Sequence, residues 1–129
     1  MKVLIVGESG AAEALGEALE AEGVEARQPG PLPSGSGGEV GQIAAALVEL
    51  ERLLDADRPD AVLLSSASNL ALAAALVATK LQIPVASIGR ERADEDRLSG
   101  VNGSLIEQLA DASLTPDPAR VIAWLRAVG

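Results

Sequence analysis

Short apolar runs alternating with helical stretches predict a single α/β domain, a five-stranded parallel sheet with helices on both faces. Three observations carry this. Lys2 to Val6 (KVLIV), apolar from Val3 on, and Ala61 to Leu64 (AVLL) are buried-strand runs bounded by turn residues, as expected of strands covered on both sides. Each run leads through a polar or glycine-bearing turn into a stretch of helical periodicity long enough for a right-handed crossover. At 129 residues, a chain buries roughly two-thirds of its unfolded surface, so no segment has to be a linker between domains.

The first strand ends at Gly7, and Ser9 is placed to cap a helix over Ala11 to Glu22 whose apolar stripe is Ala12, Leu15, Ala18 and Leu19. Val24 to Ala26 reads as a short edge strand. Gln28 to Gly38 (QPGPLPSGSGG) reads as a surface loop with no task of its own or, alternatively, as a lid. The second helix, Glu39 to Asp55, carries Ile43, Leu47, Leu50 and Leu54 on one face, widened by Ala44 and Val48. After the strand Ala61 to Leu64 comes a helix from Ser68 to Leu81 whose one charge is Lys80, so it is either buried all round or part of an interface. Pro84 to Ile88 is the fourth strand, followed by a charged loop to Gly100, a helix from Val101 to Ala112 and a short strand near Leu114. Asp117 caps the last helix with Pro118 in its first turn, and Val121, Trp124, Leu125 and Val128 form its core stripe. Trp124 is read as packing rather than recognition.

The expected strand order is 2-1-3-4-5, the flavodoxin-like order, with its switch point between the first and third strands. Gly7, Glu8, Ser9 and Gly10 from one corner and Ser65, Ser66, Ser68 and Asn69 from the other converge there as candidate ligand-binding residues. Two helix N-termini at that crevice suit a phosphate or carboxylate. Glu8 opposes an anion, and the GESG turn lacks the lysine of a P-loop and the spacing of a dinucleotide fingerprint. Ordinary turn and capping duties would also account for these serines and Asn69.

The stretch RPDAVLL, a polar turn, and LAAALVATKLQIPVAS resembles the core of the non-hydrolysing UDP-N-acetylglucosamine 2-epimerases. The likeness continues upstream in GEVGQIAAALVELERLLDAD and downstream in NGSLIEQLADASLTPDP, covering about the last two-thirds of the chain well. It implies a Rossmann-like domain corresponding to the N-terminal half of that GT-B-like family, whose second half would hold most of the nucleotide. Where the family has a His-Gly-Asp turn this chain has Ser65, Ser66 and Ala67, and Gly89 stands at a second acidic position. A third acid falls near Gly100, and two family arginines become Gly103 and Ser104. The family's opening Gly-Thr-Arg-Pro-Glu becomes Gly7, Glu8, Ser9, Gly10 and Ala11. Asn102, Leu105, Leu109, Ala110, Asp111 and Pro116 match as scaffold. The resemblance therefore implies an epimerase-like domain without its catalytic acids.

Composition narrows the partners. A formal net charge of −9, from ten Lys+Arg against 19 Asp+Glu, repels a phosphate backbone, so no nucleic-acid partner is expected. With no cysteine and no histidine, the chain lacks thiol and imidazole chemistry and the usual zinc ligands. No cofactor, catalytic residue or resident metal is expected. Glu91, Asp94, Glu95 and Asp96 alternate with Arg90, Arg92 and Arg97 and read as a solvated, self-paired surface; a Mg²⁺ site or an acid/base pair is the alternative. The opening Met1-Lys2-Val3 enters a strand too short for a signal segment, so a cytoplasmic chain with no membrane contact is expected. The leading expectation for function is a homodimeric interaction module, paired through the second and third helices, that binds a nucleotide sugar or small anion weakly. The alternative is half of a split UDP-sugar epimerase or glycosyltransferase-like enzyme completed by a separate nucleotide-binding protein.

Overall fold

The computed structural model describes residues 1–7, 9–29, 38–89 and 97–128. Glu8, most of the expected Gln28 to Gly38 loop and the acidic stretch at 91–96 lie outside the described residues. The elements follow in order as β1 (Lys2–Val6), α1 (Ser9–Ala21), β2 (Glu25–Arg27), α2 (Gly38–Ala56) and β3 (Ala61–Leu64). They continue as α3 (Asn69–Lys80), β4 (Val85–Ile88), α4 (Arg97–Leu109), β5 (Ala112–Leu114) and α5 (Pro118–Val128). The sheet is wholly parallel in the order β2-β1-β3-β4-β5, as the sequence predicts.

Because side chains alternate along a strand, the sheet divides the core in two. Leu4, Val6, Val62, Leu64 and Val85 pack under α2, α3 and α4, while Val3, Ile5, Leu63, Ala86 and Ile88 pack against α1 and α5. The predicted stripes hold at Leu15 and Leu19 on α1, at Leu50 and Leu54 on α2 and at Val121 and Leu125 on α5, all buried. Trp124 packs half-buried against the α1/α5 core. Val128 does not complete its stripe; it is exposed at the last turn of α5.

The helix whose one charge is Lys80 is explained within one chain. Ala71, Leu72, Ala73, Ala74, Ala75, Val77 and Ala78 of α3 are all buried, because α2 and α4 flank it while the sheet lies beneath. Its small side chains let three helices share one sheet face. The apolar surplus is instead on α2, where Val40 (79% exposed), Ala44 and Val48 (71% exposed) form an i, i+4, i+8 row facing water.

The ends of the elements depart from expectation for local reasons. α1 includes Ser9 rather than starting after it, and β2 is set one residue later by its register, Lys2 opposite Glu25 and Leu4 opposite Arg27. α1 closes on Gly23 at φ +86, with Val24 N donating to Leu19 O at 3.0 Å. α3 ends the same way without a glycine: Gln82 takes φ 61, Ile83 N donates to Ala78 O at 2.8 Å, and Arg58 Nη2 donates to Leu81 O at 2.8 Å.

The expected helix Val101 to Ala112 begins four residues earlier and stops at Leu109, which is the largest correction. Asp111 ends it. Its backbone N donates to Val85 O at 2.7 Å, and Val85 N returns a bond to its Oδ2 at 2.8 Å. The residue is thereby drawn off the helix and onto β4. At α5 the reading holds, with Asp117 Oδ1 accepting from Ala119 N at 3.1 Å ahead of Pro118.

Candidate functional site

Parallel strands all end on one edge, and the reversal of strand order between β1 and β3 leaves a crevice there. Its two walls touch. Ser65 follows β3 and continues its pairing, its N donating to Val6 O at 2.9 Å. A Cβ on Gly7 would stand 1.8 Å from Ser65 Oγ and 3.1 Å from Ser65 Cβ, so only glycine lets the corners approach this closely. The Ser65 hydroxyl oxygen is enclosed and has no hydrogen-bond partner among the described residues.

The rest of the β3–α3 corner is occupied by its own structure. Ser68 is the N-cap of α3, extended at φ −72 and ψ 165, with its Oγ accepting from Ala71 N at 3.1 Å. The Ser66 and Ser68 hydroxyls are hydrogen-bonded to each other at 3.1 Å. Asn69 joins three helices: its Nδ2 donates to Glu39 Oε2 and, at 3.3 Å, to Gln42 Oε1 on α2, and its Oδ1 accepts from Asn102 Nδ2 of α4 at 3.1 Å. Asn102, 8% exposed, also donates to Ala67 O at 3.0 Å.

The eight predicted residues therefore separate. Gly7 and Ser65 meet, and Ser66, Ser68 and Asn69 form the adjoining turn. Ser9 and Gly10 lie in the first turn of α1 on the same edge. Glu8 lies outside the described residues. Glu39 and Gln42 were missed, and Asn102 was read as scaffold alone. Their link to the corner depends on helix packing across about thirty residues and leaves no local motif. Among the described residues no three carboxylates cluster so as to hold a metal ion, and no helix is long and apolar enough to cross a membrane.

Displaced titrations occur far from this crevice. At the opposite edge of the sheet, Asp57 accepts from Lys2 Nζ at 2.6 Å and from Arg27 Nη1 at 2.7 Å. The Lys2 bond, aided by Arg27, holds the Asp57 carboxyl below its ordinary value, and Asp57 in turn raises Lys2. On α2, the Arg52 guanidinium lowers Glu49. Among the described residues, the β1 and β3 corners themselves offer hydroxyls, backbone amides and helix N-termini, with the Glu39 carboxylate bonded to Asn69 beside them.

No family model matches the chain. Over 87 residues, 66% of its length, it is 33% identical to a UDP-N-acetylglucosamine 2-epimerase of Methanocaldococcus jannaschii, covering 24% of that protein. A solved structure of the UDP-GlcNAc 2-epimerase from the same organism superposes on 98% of this chain with a TM-score of 0.76 at 26% identity. The chain resembles the UDP-N-acetylglucosamine 2-epimerases. This epimerase-like domain spans 42% of that solved chain. A second structure of the archaeal enzyme, in complex with UDP-GlcNAc and UDP, matches 85% of the domain with a TM-score of 0.73. The Neisseria meningitidis enzyme shares the fold, with a TM-score of 0.68 at 19% identity.

Proposed function

We propose that this epimerase-like domain is non-catalytic, pairs with a second copy of itself, and binds a nucleotide sugar or similar small anion weakly at the β1/β3 crevice. The observation that carries the reading is the chemistry of the corner. Epimerisation needs a positioned base to remove a proton from carbon. The family resemblance puts a catalytic aspartate at Ala67, which here offers a buried methyl group and a carbonyl already held by Asn102. An anion would meet helix N-termini, and the enclosed Ser65 hydroxyl only where the corner opens, with no guanidinium among the described residues of the two corners to strengthen it. Pairing draws support from the Val40, Ala44 and Val48 row, which a two-fold contact along α2 would cover. This refines the expected interface of helices two and three, because α3 is already enclosed within one chain. A second reading, half of a split UDP-sugar epimerase or glycosyltransferase-like enzyme, draws on the span of the matches, about two-fifths of each solved chain.

One set of isotope-labelled samples tests the proposal. With UDP-N-acetylglucosamine, NMR is expected to show no manno product and amide shifts confined to Gly7, Gly10 and Ser65 to Asn69, saturating near ~1 mM, a weak interaction of about 4 kcal/mol. Turnover above background refutes the non-catalytic reading; tight binding, or shifts elsewhere, refutes the site. Light scattering is expected to give a dimer mass that falls to a monomer in Val48→Glu, since a carboxylate facing an apolar partner is costly to desolvate. A monomeric unmodified chain at micromolar concentration refutes pairing.

A further inference from the structure

We propose that Asn102 is a positioning residue that holds the β3–α3 corner in the shape a ligand would meet, through an amide brace shared with Asn69. The brace is saturated. The two protons of Asn102 Nδ2 go to Ala67 O and Asn69 Oδ1, and the two of Asn69 Nδ2 go to Glu39 and Gln42. Reversing either amide would set oxygen against oxygen, so the network fixes one orientation of both side chains.

Its target is a carbonyl that regular structure leaves over. Ala67 lies after β3 and before the Ser68 cap, in neither ladder, and is itself buried. Such a carbonyl needs a donor, and Asn102 supplies it from a different helix. By tying Ala67, the amide constrains the residues on either side of it: Ser66 and Ser68, whose hydroxyls are hydrogen-bonded, and one step back Ser65, whose enclosed hydroxyl has no partner among the described residues. Asn69 carries the same constraint to the first turn of α2 through Glu39. Chained amides polarise one another, so the brace is stiffer than its separate bonds.

The brace stands on geometry alone; only its consequence for a ligand rests on the anion-site reading. The experiment separates the two. Asn102→Asp keeps the shape but replaces both donors with a carboxylate facing Ala67 O and Asn69 Oδ1. Hydrogen exchange is read at Ala71 and Leu72, whose amides donate to Ser68 Oγ and Ser68 O, and at Leu63 in the sheet as a reference for global opening. The expected result is at least a ten-fold acceleration at Ala71 and Leu72 relative to Leu63. Unchanged exchange at the corner, or equal acceleration at all three amides, overturns the brace. If Asn102→Asp does not fold, Asn102→Ser removes the reach without adding charge and is judged on the same ratio. UDP is then titrated into both proteins. A several-fold weaker affinity in the variant extends the brace to ligand positioning, and equal affinity in the two removes that role. If neither protein binds UDP, the anion site fails while the exchange result still decides the brace.

Discussion

The two edges of the sheet use opposite chemistry. At the N-terminal edge, Asp57 and Asp60 gather Lys2, Arg27 and the Lys2 backbone into ion pairs and hydrogen bonds, while the enclosed Arg27 Nε has no partner among the described residues. At the C-terminal edge, the described residues of the β1 and β3 corners are glycine, serine, alanine and asparagine, and one enclosed hydroxyl there has no partner. One edge is tied by charges and the other by neutral groups, and each encloses one polar atom without a partner among the described residues. The first edge is thus a charged clasp, and the second joins its two corners by close packing of Gly7 on Ser65.

The largest effect is expected where the corners touch. Gly7→Ala drives a methyl into Ser65 and should cost about 2 kcal/mol, the scale of overpacking a tight contact, seen as a lower urea midpoint. Gly10→Ala is its control, because a Cβ there meets nothing within 4 Å; it should leave stability unchanged or raise it by up to about 1 kcal/mol as helix propensity improves. Equal midpoints for the two variants would mean that the corners are not closely packed.

A smaller effect, opposite in sign, is expected at Ser65. Ser65→Ala deletes an enclosed hydroxyl with no partner and should stabilise the free chain by up to about 1 kcal/mol, since an unsatisfied buried group is itself a cost. The same change should weaken UDP binding. Loss of stability in calorimetry would show that the hydroxyl has a partner.

The smallest effect belongs to the clasp. Asp57→Asn should lower the thermal midpoint slightly, and less in molar salt, because its pairs are exposed and screened. Asp57 titrates below its ordinary value in the folded chain, so its contribution is present above about pH 4 and is lost as pH falls through the lowered value. Lys2 is raised above its ordinary 10.5, so its share is complete below that pH and disappears only as pH rises through the raised value. Between these limits the difference between the two proteins should be flat. A change in UDP affinity in Asp57→Asn would erase the distinction between the edges.

Architecture was legible in the sequence because it rests on runs and spacings: KVLIV and AVLL, short and bounded by turn residues, read as covered strands, and the helical stretches between strands imply parallel crossovers. The switch-point corners followed from that order. Less legible was whatever depends on contacts far along the chain. The nearly uncharged α3 has the same composition whether an interface or two flanking helices covers it, and here α2 and α4 do so. The end of α4 was misplaced because nothing in QLADAS announces that Asp111 bonds to Val85. The Asn69–Asn102 brace joins residues 33 positions apart, beyond the reach of any local pattern.

Asp111 also governs the far margin of the sheet. β5 is a three-residue strand, and so short a parallel ladder has little power to choose among registers. A slip of one residue would turn Ala112 and Leu114, now packed toward α5, to the other face and carry Ser113 inward. By bonding both polar groups of Val85 one step ahead of the strand, Asp111 adds a rung made half of side chain, and the strand that follows has a single place to land.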